Sequence, residues 1–297
     1  MKYYLGIDGG GTRTVAAVSD ENSNILCRAA GGSINFYSVG MDMARDNLSD
    51  VIKSIKNQLG DIVFTGAFIG CSALDWEADE NTVKALCDGI IRSDKIRMNS
   101  DAYVALRASD CKAVAICGTG SMAIGETEDG EIIVKGGWGH ILGDEGSAYQ
   151  VAIEAIRHCC YLYDCGEMDE IVFEALDYFG ISSVKGIIDV LYSPHTKKDY
   201  VAGFCARVSE LAESGCGFAN KLIKAEAENY ANFTVKLLLE DMDDCSGLAV
   251  YGGMFKHCYG FYEAFCDALI DGDYPDLNIK MLESPPEEGA LKLARAL

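Results

Sequence analysis

The feature that most limits how this chain can fold is a glycine-rich turn set between two apolar runs, and it occurs twice. The first turn is Asp8-Gly9-Gly10-Gly11-Thr12, with apolar residues 3–7 before it and 14–19 after it. The second is Gly118-Thr119-Gly120-Ser121, about 110 residues further on, between residues 113–117 and 122–126. An apolar run, a glycine turn and a second apolar run predict a β-hairpin. Each hairpin is followed by a polar turn, Asp20-Glu21-Asn22 or Asp129-Gly130, and a third short run at 25–28 or 132–135. The repeat is one of architecture rather than of residues, and two facing α/β domains with a cleft between them account for it most simply.

The residues between and after the hairpins fill in this plan. Met43, Leu48, Val51, Ile52, Ile55 and Leu59 recur at helical spacing and predict an amphipathic helix over 42–59. A buried strand at 62–69, a helix at 82–91 and a strand at 95–98 follow. Beyond the second hairpin the pattern is mainly helical, at 147–163, 168–179, 183–191, 200–213 and 217–240, with one strand at 248–251. Residues 1–115 are expected to form the first domain, joined by a C-terminal helix over 286–297, and residues 116–285 a larger, more helical second domain. Because a strand rather than a helix follows each glycine turn, neither turn is a Rossmann fingerprint, and no GxxxxGK[ST] P-loop is present.

A formal net charge of -21 repels polyphosphate backbones and anionic membranes, so nucleic acid and membrane are not expected partners. The thirteen cysteines lie scattered in apolar runs with no CxxC pair. His158, Cys159, Cys160 and Cys165 lack the paired spacing of a zinc site. Buried free thiols in a reducing, cytoplasmic setting fit this usage.

Glycine lets a turn aim several backbone amides at one anion without a side chain in the way. Gly9, Gly10 and Gly11 with the Thr12 hydroxyl, and Thr119 with Gly120, are therefore candidate phosphate contacts. Asp8, at the end of its strand, suits a hydrated Mg²⁺ that bridges phosphate oxygens. Either turn alone also reads as an ordinary hairpin, and it is the repetition that favours phosphate. Asp101 follows a strand and opens a helical run, a position for a helix cap or for a general base. Asp144-Glu145 either caps the helix after Ser147 or faces a ligand, and Asn35 is a turn former or a polar contact.

The repeated strand–turn–strand unit resembles the actin, hexokinase and Hsp70 ATPase superfamily, whose ribonuclease-H-like domains flank an active-site cleft. Ser33-Ile34-Asn35-Phe36-Tyr37, Asn99-Ser100-Asp101-Ala102, residues 117–121, Gly136-Gly137-Trp138-Gly139-His140, residues 143–149 and Ala202-Gly203-Phe204-Cys205 are similar, in order, to the motifs of the N-acetylglucosamine kinase family within the BadF/BadG/BcrA/BcrD ATPase group. The resemblance implies an ATP- and Mg²⁺-dependent kinase acting on the 6-hydroxyl of an amino sugar, with Asp101 as catalytic base. It implies sugar contacts at Asn35, Asp101, Ser121, Gly137, Trp138, Gly139, His140 and Asp144. It implies ATP contacts at Thr12, Thr119, Ala202, Gly252 and Gly253, the last standing where relatives carry a serine. A homodimer, and glucosamine or N-acetylmuramic acid as alternative acceptors, also follow from it. An iron–sulfur activator ATPase of a 2-hydroxyacyl-CoA dehydratase and a non-catalytic sugar sensor are the competing readings. The first lacks its glycine-glycine-glutamine-aspartate segment here, and the second lacks a helix-turn-helix before the first strand.

Overall fold

The computed structural model describes residues 2–242 and 245–297. The chain divides into two units, one formed by Met1–Val114 with Leu282–Leu297 and the other by Ala115–Met281. Residues 282–285, expected in the second domain, cluster with the first because they lead directly into the helix Pro286–Ala296 that packs there.

The sheet of the first unit contains β1 (Tyr4–Gly9), β2 (Arg13–Ser19), β3 (Ile25–Gly32), β4 (Gly66–Cys71) and β5 (Ile96–Asn99), in the order β3-β2-β1-β4-β5. The β1–β2 and β2–β3 pairs are antiparallel hairpins, whereas β1–β4 and β4–β5 are parallel. Parallel pairing requires a crossover, and the helix Met41–Leu59 supplies it, burying Ala44, Leu48, Val51, Ile52 and Ile55 on one face of the sheet. The helices Asp101–Ala108 and Pro286–Ala296 cover the other face through Val104, Ala290 and Ala294 against Phe68. With both faces covered, every residue of β4 is buried.

The second unit repeats the same plan. Its sheet has β6 (Ala113–Cys117), β7 (Ser121–Glu126), β8 (Ile132–Gly136), β9 (Gly247–Tyr251) and β10 (Asn278–Met281), in the order β10-β9-β6-β7-β8. Read from its first strand, this is the order of the first sheet, with β7–β8 antiparallel and β9–β10 parallel. Two such mixed five-stranded sheets with helices are the actin/hexokinase-type α/β fold.

Four elements depart from the pattern read in the sequence. The strand expected at 62–69 begins only at Gly66; Ile62 packs against the core and Phe64 makes a single bridge to Ser93 ahead of it. The helical run 217–240 is broken by a π-helical turn at Ala231–Val235, which the apolar periodicity does not reveal. The helix Phe261–Ile270 and the strand β10 carry no boundary signal: the helix starts from Gly260 without a side-chain cap, and β10 is a short, incompletely buried edge strand.

Pro286–Ala296 lies so close to β1 that a Cβ on Gly6 would meet the backbone of Glu287 and come within 2.6 Å of Leu291 N. Gly6→Ala therefore pushes the helix from the sheet, and we expect a loss of about 1–3 kcal/mol, the usual cost of overpacking. Denaturant titration followed by far-ultraviolet circular dichroism checks this, since the loss appears as a lower midpoint at unchanged slope.

Candidate active site

In the first unit the candidate residues gather at the ends of β1, β4 and β5. Asp8 is the fifth residue of β1, paired with Val15 and Gly70, and is half-buried. Its carboxyl is pushed up to about 8, first by burial and then by the charges of Asp101 and Glu287, with Arg13 opposing. Asp101 begins the helix that follows β5, but Ser100 is the residue that caps it, accepting the Tyr103 N–H at 3.1 Å. The helix terminus is thus served without Asp101, which accepts the adjacent Ala102 N–H, at 2.9 Å, through Oδ1. Burial pushes its pKa up to about 6, against the lowering effect of that amide. Such a carboxyl is charged at neutral pH and still basic enough to take a proton.

The first turn is braced by two neighbouring segments. Ser33 Oγ donates to Gly10 O at 3.0 Å and Ser72 N donates to Gly9 O at 2.8 Å. Asn35 Nδ2 donates to Ser72 Oγ at 3.0 Å, while its Oδ1 accepts the N–H groups of Tyr37 and Ser38, both at 3.1 Å. Asn35 is therefore the cap of the short helix Phe36–Val39, and what it has left for a ligand is one amide N–H. The glycines of this turn differ. A Cβ on Gly9 would strike the Ile34 side chain at 2.5 Å, so packing requires that glycine. A Cβ on Gly10 would find only Arg13 O at 3.5 Å, and one on Gly11 nothing within 4 Å. No protein atom demands glycine at Gly11, and at Gly10 the one neighbour is at ordinary contact distance. Thr12 is exposed beside them.

The second unit uses its turn differently. Gly118 N donates to Gly120 O at 2.8 Å, and Gly118 O accepts Ala148 N at 2.9 Å, so Gly118 closes the turn. A Cβ on Gly120 would lie 2.8 Å from Asp144 Oδ2 and 3.0 Å from Lys198 Nζ, so this glycine makes room for an ion pair. That pair, Lys198 Nζ to Asp144 Oδ2 at 2.6 Å, joins the start of the helix Lys198–Glu213 to the segment after β8. Asp144 Oδ1 accepts Ser121 N at 3.3 Å, and Ser121 Oγ donates to Glu145 O at 2.7 Å. Asp144 holds a left-handed φ of 64°, uncommon for a residue with a side chain, and is almost fully buried. Glu226 accepts Gly146 N at 3.0 Å and is pushed up in pKa chiefly by burial.

The rest of the segment after β8 is open. Gly137 and Gly139 have φ of 75° and 81°, and between them Trp138 is 73% exposed. His140 stacks edge-on against Tyr149 with ring centroids 4.6 Å apart; burial, and next the charge of Lys198, lower its pKa. Ala202 is buried one turn along the helix from Lys198. Gly252, at φ 122°, is fixed as glycine by the backbone of Cys117, whereas Gly253 has open space where a Cβ would stand. Among the described residues, no group of three or more His, Cys, Asp or Glu is placed to hold a metal ion, and no helix is long and apolar enough to cross a membrane.

Sequence reasoning missed Lys198, Glu226, Ser33 and Ser72. Lys198 and Glu226 lie in polar stretches and Ser33 and Ser72 beside apolar ones, and only the fold carries each to its partner.

A pair of units on the same five-stranded plan, each with a glycine turn between its first two strands, places this protein in the actin/hexokinase-type fold class. The chain belongs to the BadF/BadG/BcrA/BcrD ATPase family, whose model matches residues 5–292. It is 27% identical to an N-acetylmuramic acid/N-acetylglucosamine kinase of Clostridium acetobutylicum over 100% of this chain and 99% of that protein. It is 29% identical to an N-acetyl-D-glucosamine kinase of Dictyostelium discoideum over 98% of this chain and 97% of that protein. The fold matches that of a candidate N-acetylglucosamine kinase of Chromobacterium violaceum with a TM-score of 0.74, at 19% identity and 99% coverage of both chains.

The raised pKa of Asp8 has a consequence for stability. A folded-state value near 8 against 3.8 for the ordinary carboxyl means that the folded form holds a proton the unfolded form releases. That stabilising contribution is complete below the unfolded value and is lost as pH rises through about 8. Asp8→Asn has no proton to lose. In the nucleotide-free, metal-free protein its melting temperature should exceed that of the wild type by a margin that widens from about pH 5 to about pH 9, as differential scanning calorimetry would measure.

Proposed function

We propose that this protein is an ATP-dependent kinase that transfers the γ-phosphoryl group to the 6-hydroxyl of an amino sugar, with N-acetylglucosamine as the preferred acceptor. The observation that carries the reading is Asp101: a carboxyl poised at about 6, with its helix capped by another residue and Asp8 close enough to raise its own pKa in response. The two full-length relatives named for phosphorylation of N-acetylglucosamine support the acceptor.

Asp101 accepts the proton of the 6-hydroxyl as that oxygen forms its bond to phosphorus and the bond from phosphorus to the bridging oxygen of ADP breaks. Asp8 stands beside the charges of Asp101 and Glu287, with Arg13 opposing them, an acidic setting that suits a hydrated divalent cation held at Asp8. Mg²⁺ held through water at Asp8 would supply charge neutralisation at the phosphate oxygens. Gly10, Gly11 and Thr12 offer amides and a hydroxyl to phosphate, with Gly9 holding the turn in shape. In the second unit, Thr119 and Gly120 form the corresponding phosphate turn, and Ala202, Gly252 and Gly253 form the nucleoside side. Asn35, through its remaining amide N–H, and Ser121, Gly137, Trp138, Gly139, His140 and Asp144 are the proposed sugar contacts. A homodimer in a reducing, cytoplasmic setting completes the proposal; the free thiols of the chain support that setting.

Asp101→Asn should lower kcat by about 10²–10⁴-fold, the usual worth of a general base, with a smaller change in sugar KM. For the wild type, kcat/KM should fall as pH drops below about 6, where Asp101 becomes protonated and no longer accepts a proton. An ADP-release assay over N-acetylglucosamine, N-acetylmuramic acid, glucosamine, N-acetylmannosamine and glucose measures both quantities and ranks the acceptors. Turnover of none of these sugars, or equal turnover by Asp101→Asn, would sink the proposal.

A further inference from the structure

Lys198 stands at a position that local helix electrostatics disfavour. It is the first residue of a helix, where the backbone dipole presents positive charge, and a lysine there is repelled rather than stabilised. Its neighbour on the same helix face, one turn along, is Ala202. Two anchors hold its ammonium in place. Nζ donates to Asp144 Oδ2 at 2.6 Å, and it lies 3.0 Å from where a Cβ of Gly120 would be, so it sits directly on the glycine turn. The side chain is 30% exposed against 4% for Asp144, and an ammonium that gives one N–H to Asp144 has two more to donate.

Neutralising Asp144 explains only part of this. A buried carboxylate that needs a partner is served by a fully buried lysine, and nothing in that role calls for a partly exposed side chain whose Nζ lies 3.0 Å from where a Cβ of the turn glycine Gly120 would stand. In a chain with net charge -21, a cation fixed in this way on a phosphate-type turn is placed for an anion. We propose that Lys198 is a phosphate-binding residue of the second unit, donating to the terminal phosphoryl group of the bound nucleoside triphosphate while Asp144 holds the ammonium in position. Lys198 forms and breaks no covalent bond; it offsets charge on the phosphoryl oxygens, and the proton and leaving group go as described above.

The inference rests on the phosphotransferase reading, but nucleotide titration in the absence of sugar tests it separately. The full-length protein would be titrated calorimetrically with magnesium and either a non-hydrolysable ATP analogue or ADP. Lys198→Gln keeps a hydrogen-bond donor for Asp144 and removes the charge. It should weaken the triphosphate analogue by at least about tenfold and leave ADP within about twofold, as expected for loss of one charge-assisted hydrogen bond. Lys198→Arg should keep most of the triphosphate preference. If Lys198→Gln leaves Asp144 uncompensated and the fold melts, the same ratio is read in Lys198→Gln combined with Asp144→Asn, which removes the buried charge along with its partner. Equal weakening of both nucleotides, or no change in either, would overturn the assignment and leave Lys198 a structural counterion. Failure of the wild type to phosphorylate any sugar would defeat the acceptor reading and leave this ratio untouched.

Discussion

The packing of the C-terminal helix Pro286–Ala296 on β1 and β4 is the contact on which the first unit depends. The parallel strands β1, β4 and β5 of this mixed sheet need cover on both faces, and the helix Pro286–Ala296 covers the second one. The approach is close enough that Gly6 admits no side chain, and it brings Glu287 within electrostatic reach of Asp8. The same contact that completes the core therefore desolvates Asp8 and surrounds it with like charge. The packing that completes the unit and part of the charge beside Asp8 thus have one origin.

The two glycine turns occupy equivalent places in two sheets of the same order, yet they solve different problems. In the first, the space beside Gly10 and Gly11 is empty and the carboxylates stand behind it. In the second, the space beside Gly120 is filled by the Asp144–Lys198 pair, so the turn presents a cation in addition to amides. Architectural repetition has been kept while the charge has been inverted.

Much of this architecture is legible in the amino-acid sequence. The strand–turn–strand pattern and the helical spacing of Leu48, Val51, Ile52 and Ile55 are local signals, and local signals determine both hairpins and the helix Met41–Leu59. Asp8, Asp101 and Asp144 stand out because each ends or begins an element beside glycine or serine. Their roles are less legible. Whether Asp101 caps its helix depends on Ser100 taking the cap, and Asn35 reads as a sugar contact until its carbonyl is seen bound to Tyr37 and Ser38. Lys198 and Glu226 meet the segment after β8 from 54 and 80 residues away, respectively, and no periodicity in a single sequence encodes such a contact.

The left-handed backbone of Asp144 ties these threads together. A glycine would adopt φ 64° without strain, so an aspartate there must return more in interactions than the conformation costs, about 1 kcal/mol or more. It returns them in three directions: Oδ1 accepts the Ser121 amide at the start of β7, Oδ2 holds Lys198, and its own backbone carbonyl accepts the N–H of Ser147, the cap of the next helix. Those bonds connect the hairpin, the helix Lys198–Glu213 and the helix Ala148–Cys165 through one residue. The conformation stores strain, and the bonds that the Asp144 side chain makes to Ser121 and Lys198, which a glycine could not make, offset it.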